Sequence, residues 1–153
     1  MKEDFLYYLW KFQKFDSECL RTSEGESLQI ISTGSQNDLS GPDFFNAHLK
    51  ISGIKWAGNV EMHLKSSDWY LHHHETDPAY ENVILHVVWE HDENIFRRHG
   101  SLIPVLEFRN IIEFSMISKY RHLLESHHNS INCEDSFSEF STFEIEHWLE
   151  RLY

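Results

Sequence analysis

Residues 41–92 decide the fold, and they read GPDFFNAHLKISGIKWAGNVEMHLKSSDWYLHHHETDPAYENVILHVVWEHD. Apolar residues alternate with polar ones over residues 45–51 and again over residues 60–65, which is the pattern of half-buried strands. Residues 83–89 are apolar except for His86, which predicts a central strand buried on both faces. The segment therefore predicts neighbouring strands of one sheet that carry polar side chains at fixed positions.

Patterns on either side of this segment complete the fold prediction. Apolar residues recur at helical spacing in residues 4–15 and again in residues 111–124. Two short apolar stretches within residues 20–31 flank a Gly-containing polar gap, which predicts a hairpin. Pro104 predicts that a strand over residues 102–108 lies at a sheet edge. We therefore expect an α/β fold of the α+β type, with a mixed sheet, β-hairpins, central strands and C-terminal helices.

The domain organisation follows from length and from a polar stretch near the C-terminus. The chain has 153 residues, which fits one domain, and we expect an α/β core over residues 1–126. Residues 127–153 begin with a polar linker, after which Ser141 and Glu144 predict a capping box at a helix start. This helix reaches Tyr153 without a Gly or Pro stop signal. We therefore expect a truncated C-terminal helix, which would contact a missing C-terminal region or a partner.

Composition narrows the class of protein. The net charge is −12, which disfavours nucleic acid as a partner without excluding a small basic patch, because phosphate binding needs Lys and Arg. The two cysteines, Cys19 and Cys133, form no CxxC motif, so the sequence holds no cysteine zinc ribbon. The chain shows neither a secretory leader pattern nor an apolar run of about 18–20 residues, the length needed to span a membrane. We expect a cytoplasmic protein that does not enter membranes.

The first candidate site joins two predicted strands. Glu61, His63 and Lys65 share one face of a strand, because side chains alternate, and Asp43 stands at the head of the preceding strand. Two carboxylates on adjacent strands can hold Mg²⁺ or Mn²⁺, and a neighbouring base can activate a water. The same alternation is also what a solvent-exposed strand face shows.

Pro42-Asp43 and Glu61-x-His63 resemble the PD-(D/E)xK motif of nucleases, in which Lys stands where this chain has His63. The resemblance implies a restriction-endonuclease-like core and a metal-dependent phosphodiesterase. It assigns Asp43 and Glu61 as metal ligands, and it assigns Glu61, His63 and Lys65 as catalytic residues. Lys65, one same-face position further on, could take the part of the missing lysine, or His63 could substitute for it.

The histidines offer a different metal site. His72-His73-His74 follows the Glu61 strand, and at most His72 and His74 can share a strand face. A histidine-ligated zinc hydrolase would require His63, His86 and one of these two to converge. We place His74 and His86 at a possible outer site, beyond the direct metal ligands. A histidine in such a run is more often an exposed loop residue, and a lone histidine on a buried strand is more often a hydrogen-bonded core residue. Mg²⁺ or Mn²⁺ is favoured over Zn²⁺.

Six stretches share the sequence pattern of one family: residues 3–12 (EDFLYYLWKF), 40–44 (SGPDF), 56–63 (WAGNVEMH), 66–69 (SSDW), 82–89 (NVILHVVW) and 148–153 (WLERLY). On these stretches the chain resembles the bacterial domain-of-unknown-function 2851 family. The resemblance implies that the chain is the N-terminal portion of longer proteins, and it supplies no activity. A non-catalytic interaction or structural domain therefore stands beside the two metal-dependent hypotheses.

Overall fold

The computed structural model describes residues 2–125 and 140–151, and a mixed sheet lies within the first of these two ranges. Its strands in these parts are β1 (Leu28–Ser32), β2 (Ser35–Gln36), β3 (Phe44–Ile51), β4 (Ile54–Lys65), β5 (Val83–Glu90) and β6 (Val105–Glu107). They are ordered β1-β3-β4-β5-β6, with β2 also paired to β3. Pairing is antiparallel from β1 to β4 and parallel from β4 through β6. The predicted α+β class with a mixed sheet is confirmed.

The helices in the described residues are α1 (Glu3–Lys11), α2 (Asp68–Leu71), α3 (Phe114–Glu125) and α4 (Thr142–Glu150). Helix α1 contacts β4 and β5 and buries Phe5, Leu6, Leu9 and Trp10. It ends before the predicted residue 15, because Gln13 adopts a φ of 47°, outside the right-handed helical region.

The connection between β4 and β5 covers part of the sheet. Parallel neighbours need a crossover, and residues 66–82 supply it with α2 and a 3₁₀ turn at Pro78–Tyr80. Trp69 and Tyr80 from this crossover pack in one buried cluster with Val88 and Val105 of the sheet. Burial of these apolar groups fixes the crossover on the side of the sheet that carries Val88.

Strand β5 lies between β4 and β6, and residues 83–88 are all buried, as the apolar pattern predicts. Strand β6 is an edge strand of the described sheet but is shorter than predicted. The predicted turn near residue 25 is present, and an antiparallel bridge joins Arg21 to Ser27. Strand β4 runs unbroken from residue 54, and its register with β5 shifts between Asn59 and Val60.

The chain divides into two compact units, residues 1–113 and residues 114–153. In the second unit the predicted capping box is confirmed: the Ser141 hydroxyl accepts from the Glu144 N–H, and the Glu144 carboxylate accepts from the Ser141 N–H. The predicted linker and the boundary at residue 126 lie outside the described residues, so that division stays a prediction. No helix within the described residues combines the length and the apolar character required to cross a bilayer.

Candidate metal centre

Three histidines converge beside the carboxyl half of β4. His63 points from β4, and His72 and His74 come from the turn that follows α2. The residue between them, His73, has a φ of 60°, and this left-handed conformation reverses the chain locally. Both flanking imidazoles therefore reach His63, with ring centroids 4.8 Å (His72) and 5.3 Å (His74) from that of His63.

The ligand atoms of this cluster have the spacing of a metal site. One nitrogen from each of His63, His72 and His74 lies within 4.8 Å of the other two, so the cluster could hold a metal ion. His63 Nε2 lies 3.0 Å from His72 Nδ1. Ligands of a tetrahedral zinc ion are about 3.3–3.6 Å apart when each metal–ligand bond is about 2.0–2.2 Å. The His63–His72 pair, which lies within hydrogen-bonding distance, is therefore near the separation that a tetrahedral ion imposes, and the pairs with His74 lie within 4.8 Å.

Glu61 supplies a carboxylate oxygen to the same place. Its Oε1 lies 3.7 Å from His63 Nε2 and 3.4 Å from His74 Nε2. His74 Nε2 is buried and makes no aligned hydrogen bond within residues 2–125 and 140–151, and the His74 ring stacks on Tyr80 with centroids 3.8 Å apart. Glu61 Oε1 thus completes a polar cluster of three imidazoles and one carboxylate.

Asp43 stands behind Glu61 and is itself held in place. Its backbone N–H donates to Glu61 Oε2 over 3.1 Å. One oxygen of its carboxylate accepts from the Tyr7 hydroxyl at 2.9 Å, and the other accepts from the Met62 N–H at 2.8 Å. Asp43 therefore orients Glu61 through its backbone, while its own side chain is occupied by two donors.

The remaining nitrogen of His63 contacts His86. His63 Nδ1 lies 2.8 Å from His86 Nε2, and His86 is fully buried on β5. The register of the sheet explains this contact. His86 is the Cα partner of Glu61, and Glu61 and His63 are on the same face of β4 because they are two residues apart. His63 is thus held between the histidine cluster on one side and His86 on the other.

Burial controls the protonation of the histidines. Burial, followed by the neighbouring His74 and His72, lowers the pKa of His63 to about 3. Burial also lowers the pKa of His74, against nearby carboxylates, and holds the pKa of His86 well below its ordinary value. These rings are neutral at pH 7, which is the state in which an imidazole binds a metal.

The carboxyl groups shift in the opposite direction for the same reason. Burial raises the pKa of Glu61 to about 8, although the hydrogen bond from the Asp43 N–H opposes the shift. Burial, and then the charge of Glu61, raises the pKa of Asp43 to about 7, against the donors Tyr7 and Met62. A cation beside Glu61 would favour its ionised form and relieve this cost.

The structure brings together only some of the residues that the sequence analysis placed in a site. Glu61, His63 and Asp43 are adjacent, and Glu61 and His63 are 4% and 2% exposed, so they do not form a solvent-exposed strand face. Lys65 follows the same parity, but its side chain is 54% exposed and its Nζ lies 3.9 Å from Asp92. Lys65 thus pairs outside the cluster.

Tyr7 and Tyr80 contact the cluster and were not among the predicted site residues. His72 was predicted only as an alternative to His74 in a zinc site, whereas the structure brings both beside His63. The available signal was the His72-x-His74 spacing, which permits two ligands from one loop. No sequence signal marks the Tyr7–Asp43 contact, because it joins residues 36 positions apart.

Comparison with known proteins supplies a family and no activity. A family model with the description "Protein of unknown function (DUF2851)" matches residues 3–153. No curated protein and no solved structure matches the chain, so the likeness to nucleases stays a prediction. Because the family match covers essentially the whole chain, the protein belongs to the DUF2851 family of proteins of unknown function.

Proposed function

We propose that this domain is a zinc-dependent hydrolase whose metal is held by His63, His72 and His74. The observation that carries the proposal is the convergence of three imidazole nitrogens within 4.8 Å of one another. Imidazole suits Zn²⁺ and related transition metals, and three protein ligands leave a fourth position for water or substrate. Two of the three rings are kept neutral by burial, which removes proton competition for the ion.

The chemistry of the donors favours zinc over Mg²⁺ or Mn²⁺ between Asp43 and Glu61. A magnesium site of that kind needs free carboxylate oxygens in octahedral geometry. Both Asp43 oxygens and Glu61 Oε2 already accept hydrogen bonds. The remaining oxygen, Glu61 Oε1, faces His63 and His74, and these nitrogens are poor ligands for magnesium.

Glu61 is the group best placed to move a proton. Zinc at the histidines would lower the pKa of a water in its fourth position toward 7. Glu61 Oε1, within 4 Å of two of the proposed ligand nitrogens, would accept the proton of that water. Asp43 would hold the Glu61 carboxylate in place through its backbone N–H.

The surrounding charge favours a neutral ester or amide as the substrate over a phosphodiester. The charged side chains that shift the pKa values of Glu61, His74 and Asp43 include the carboxylate of Glu3 and those of the turn after α2. The whole chain carries a net charge of −12. An anionic phosphodiester would be repelled from such a site.

A closed structural zinc site is the second candidate, and burial favours it. Glu61 and His63 are almost wholly buried, and only His72 among the proposed ligands is exposed. If Glu61 Oε1 takes the fourth position, four protein ligands surround the ion, as in structural sites. The domain would then be a non-catalytic interaction module that needs zinc to hold its crossover against the sheet.

Zinc titration tests the metal centre. We expect the wild-type protein to bind one zinc ion per chain in the presence of a weak competing chelator that suppresses surface histidines. His72→Gln and His74→Gln should lose most of this binding, whereas His73→Asn should keep it, because His73 is an exposed histidine outside the cluster. Equal binding by all four proteins would rule out the centre. Tight Mn²⁺ binding that Asp43→Ala abolishes would instead favour the carboxylate site.

Hydrolysis assays separate the two candidates. Zinc-loaded protein should cleave p-nitrophenyl acetate faster than bis(p-nitrophenyl) phosphate. Glu61→Gln should lower kcat by about 10²–10⁴-fold, the usual contribution of a general base. His73→Asn serves as the matched control with unchanged kcat. A protein that binds zinc but hydrolyses neither probe would support the structural candidate.

A further inference from the structure

His86 is an unusual residue in its place on the sheet. Residues 83–88 of β5 are buried, and the neighbours of His86 on the strand are Leu85 and Val87. His86 is 0% exposed, and one of its nitrogens, Nδ1, has no hydrogen-bond partner among the described residues. Burying an unpaired polar atom costs about 1–3 kcal/mol, which an apolar residue at this position would avoid. The partner of its other nitrogen, Nε2, explains why a histidine stands there.

That partner is His63, and the contact constrains the hydrogen atoms. His86 Nε2 and His63 Nδ1 are 2.8 Å apart, so one hydrogen lies between them. A neutral imidazole carries one N–H and one lone pair. If His63 Nδ1 donates this hydrogen, then His63 Nε2 holds a bare lone pair; if His63 Nδ1 accepts it, then Nε2 carries the hydrogen.

Only the first arrangement leaves His63 able to bind a metal on the side of the cluster. His63 Nε2 faces His72 Nδ1 at 3.0 Å and Glu61 Oε1 at 3.7 Å. A hydrogen on Nε2 would point into the place where the ion is expected. The acceptor at His86 Nε2 stabilises the alternative, with the hydrogen on His63 Nδ1, and it also fixes the plane of the ring.

This arrangement determines what the unpaired nitrogen of His86 carries. When His86 Nε2 accepts, its own hydrogen must be on Nδ1, the atom that lacks a partner in the described part of the chain. The Trp69 ring lies against His86 with centroids 5.7 Å apart. The free-energy cost of burying the unpaired His86 Nδ1–H is therefore a consequence of the tautomer that allows His63 Nε2 to bind a metal.

We infer that His86 is a positioning residue that sets the tautomer and orientation of His63, so that His63 Nε2 is available to a divalent metal ion held with His72 and His74. This inference rests on the metal centre of the proposed function. It gives His86, the histidine within the apolar strand, a role in metal binding. Among the proposed ligands, His86 shares a hydrogen bond with His63.

Variants at position 86 test the inference because their side chains differ in length. His86→Gln places an amide oxygen near the position of the lost Nε2, whereas His86→Asn has the same amide but is too short to reach His63. We expect His86→Asn and His86→Leu to weaken zinc binding by about 10–100-fold, the usual effect of losing an outer partner of a ligand, and His86→Gln to restore most of it. Circular dichroism and urea unfolding of the metal-free variants check the fold.

Nitrogen-15 NMR of the imidazoles reports which ring nitrogens carry a hydrogen or a metal. A purely structural role of His86 would not change this pattern. In the zinc-loaded wild type we expect a protonated His63 Nδ1, a metal-shifted His63 Nε2 and a protonated His86 Nδ1. Wild-type zinc affinity in His86→Asn, or coordination through His63 Nδ1, would overturn the inference while leaving the metal centre intact. Failure of the wild type to bind zinc would overturn both.

Discussion

Glu61 holds one oxygen against a backbone N–H and turns the other toward two histidines. Its neighbours therefore divide the carboxylate into a fixed end and a reactive end. The fixed end depends on Asp43, which in turn is held by Tyr7 from α1. A single acid on β4 thus joins the helix, the strand and the turn after α2.

Zinc uptake should release a proton from Glu61. Burial raises the pKa of this carboxyl to about 8, so it is mostly protonated in the metal-free protein at pH 7. A cation beside it favours the ionised form, and up to about one proton should leave for each zinc ion bound. Calorimetric titration in two buffers of different ionisation enthalpy measures this number. Glu61→Gln should bind zinc without that release; an unchanged release in this variant would contradict the assignment.

Strand parity predicted that Glu61 and His63 share a face, and this much could be read from the sequence because alternation is strict in a strand. Their burial could not be read. Polar residues on alternate positions look the same whether that face meets water or is covered by another segment. Here the cover comes from Trp69 and Tyr80 in the crossover, and it turns an ordinary polar face into a place where pKa values shift.

At the scale of elements, the turn after α2 decides whether two histidines can face the same point. On a regular strand His72 and His74 would share a face, and in an exposed loop end, the commoner role, neither would bind a metal. The observed φ of 60° at His73 brings both rings to His63 without a strand. A histidine at positive φ is uncommon, so nothing in the sequence predicts this turn.

Substitutions at His73 should separate the turn from the histidine itself. His73→Val places a β-branched residue in the left-handed region, which costs roughly 1–2 kcal/mol and should loosen the turn. We expect weaker zinc binding and a lower free energy of unfolding than in the wild type. His73→Gly, which accepts this φ without a steric penalty, should bind zinc like the wild type. Comparable losses in both variants would mean that the side chain of His73 takes part in binding.

Gly58 sets how closely β4 approaches the start of β5. A Cβ at this position would lie 2.5 Å from Ile84 Cγ2 and 2.6 Å from the backbone oxygen of Asn82. Gly58→Ala should therefore lower the free energy of unfolding by about 1–3 kcal/mol, as measured by urea denaturation. Ala57→Ser is the matched control on an exposed neighbour and should change little. An alanine variant as stable as the wild type would show that the two strands can separate freely here.

At the scale of the whole molecule, topology brings the chemistry together. The parallel pairing of β4 and β5 sets Glu61 beside His86, although the two are 25 positions apart. The crossover that this pairing requires carries His72 and His74 back over the same side of the sheet. The strands themselves were predictable from local alternation, but their order was not, because it depends on contacts between distant segments.

The metal-free domain should lose stability as pH rises above 6.5, and the sign follows from the shifted pKa values of three groups. His63, with a pKa lowered from 6.5 to about 3, binds fewer protons when folded, so its contribution grows as pH rises through this window. Asp43 and Glu61, raised from 3.8 and 4.5 to about 7 and about 8, bind more protons when folded, so their contributions fall as pH rises. Of these three groups, only the two carboxyl groups still change the free energy of unfolding above pH 6.5.

Urea unfolding with a chelator between pH 5.5 and 8.5 measures this profile. Between pH 6.5 and 8 the free energy of unfolding should fall, by at most about 1.4 kcal/mol per pH unit for each carboxyl that remains protonated only in the folded state. Glu61→Gln should flatten most of the decline, because it removes the group with the higher pKa. Saturating zinc should also flatten it, since the cation keeps Glu61 ionised in the folded protein. Stability that climbs steadily through pH 8 without metal would mean that Glu61 is not held in the low-dielectric environment on which the proposed site depends.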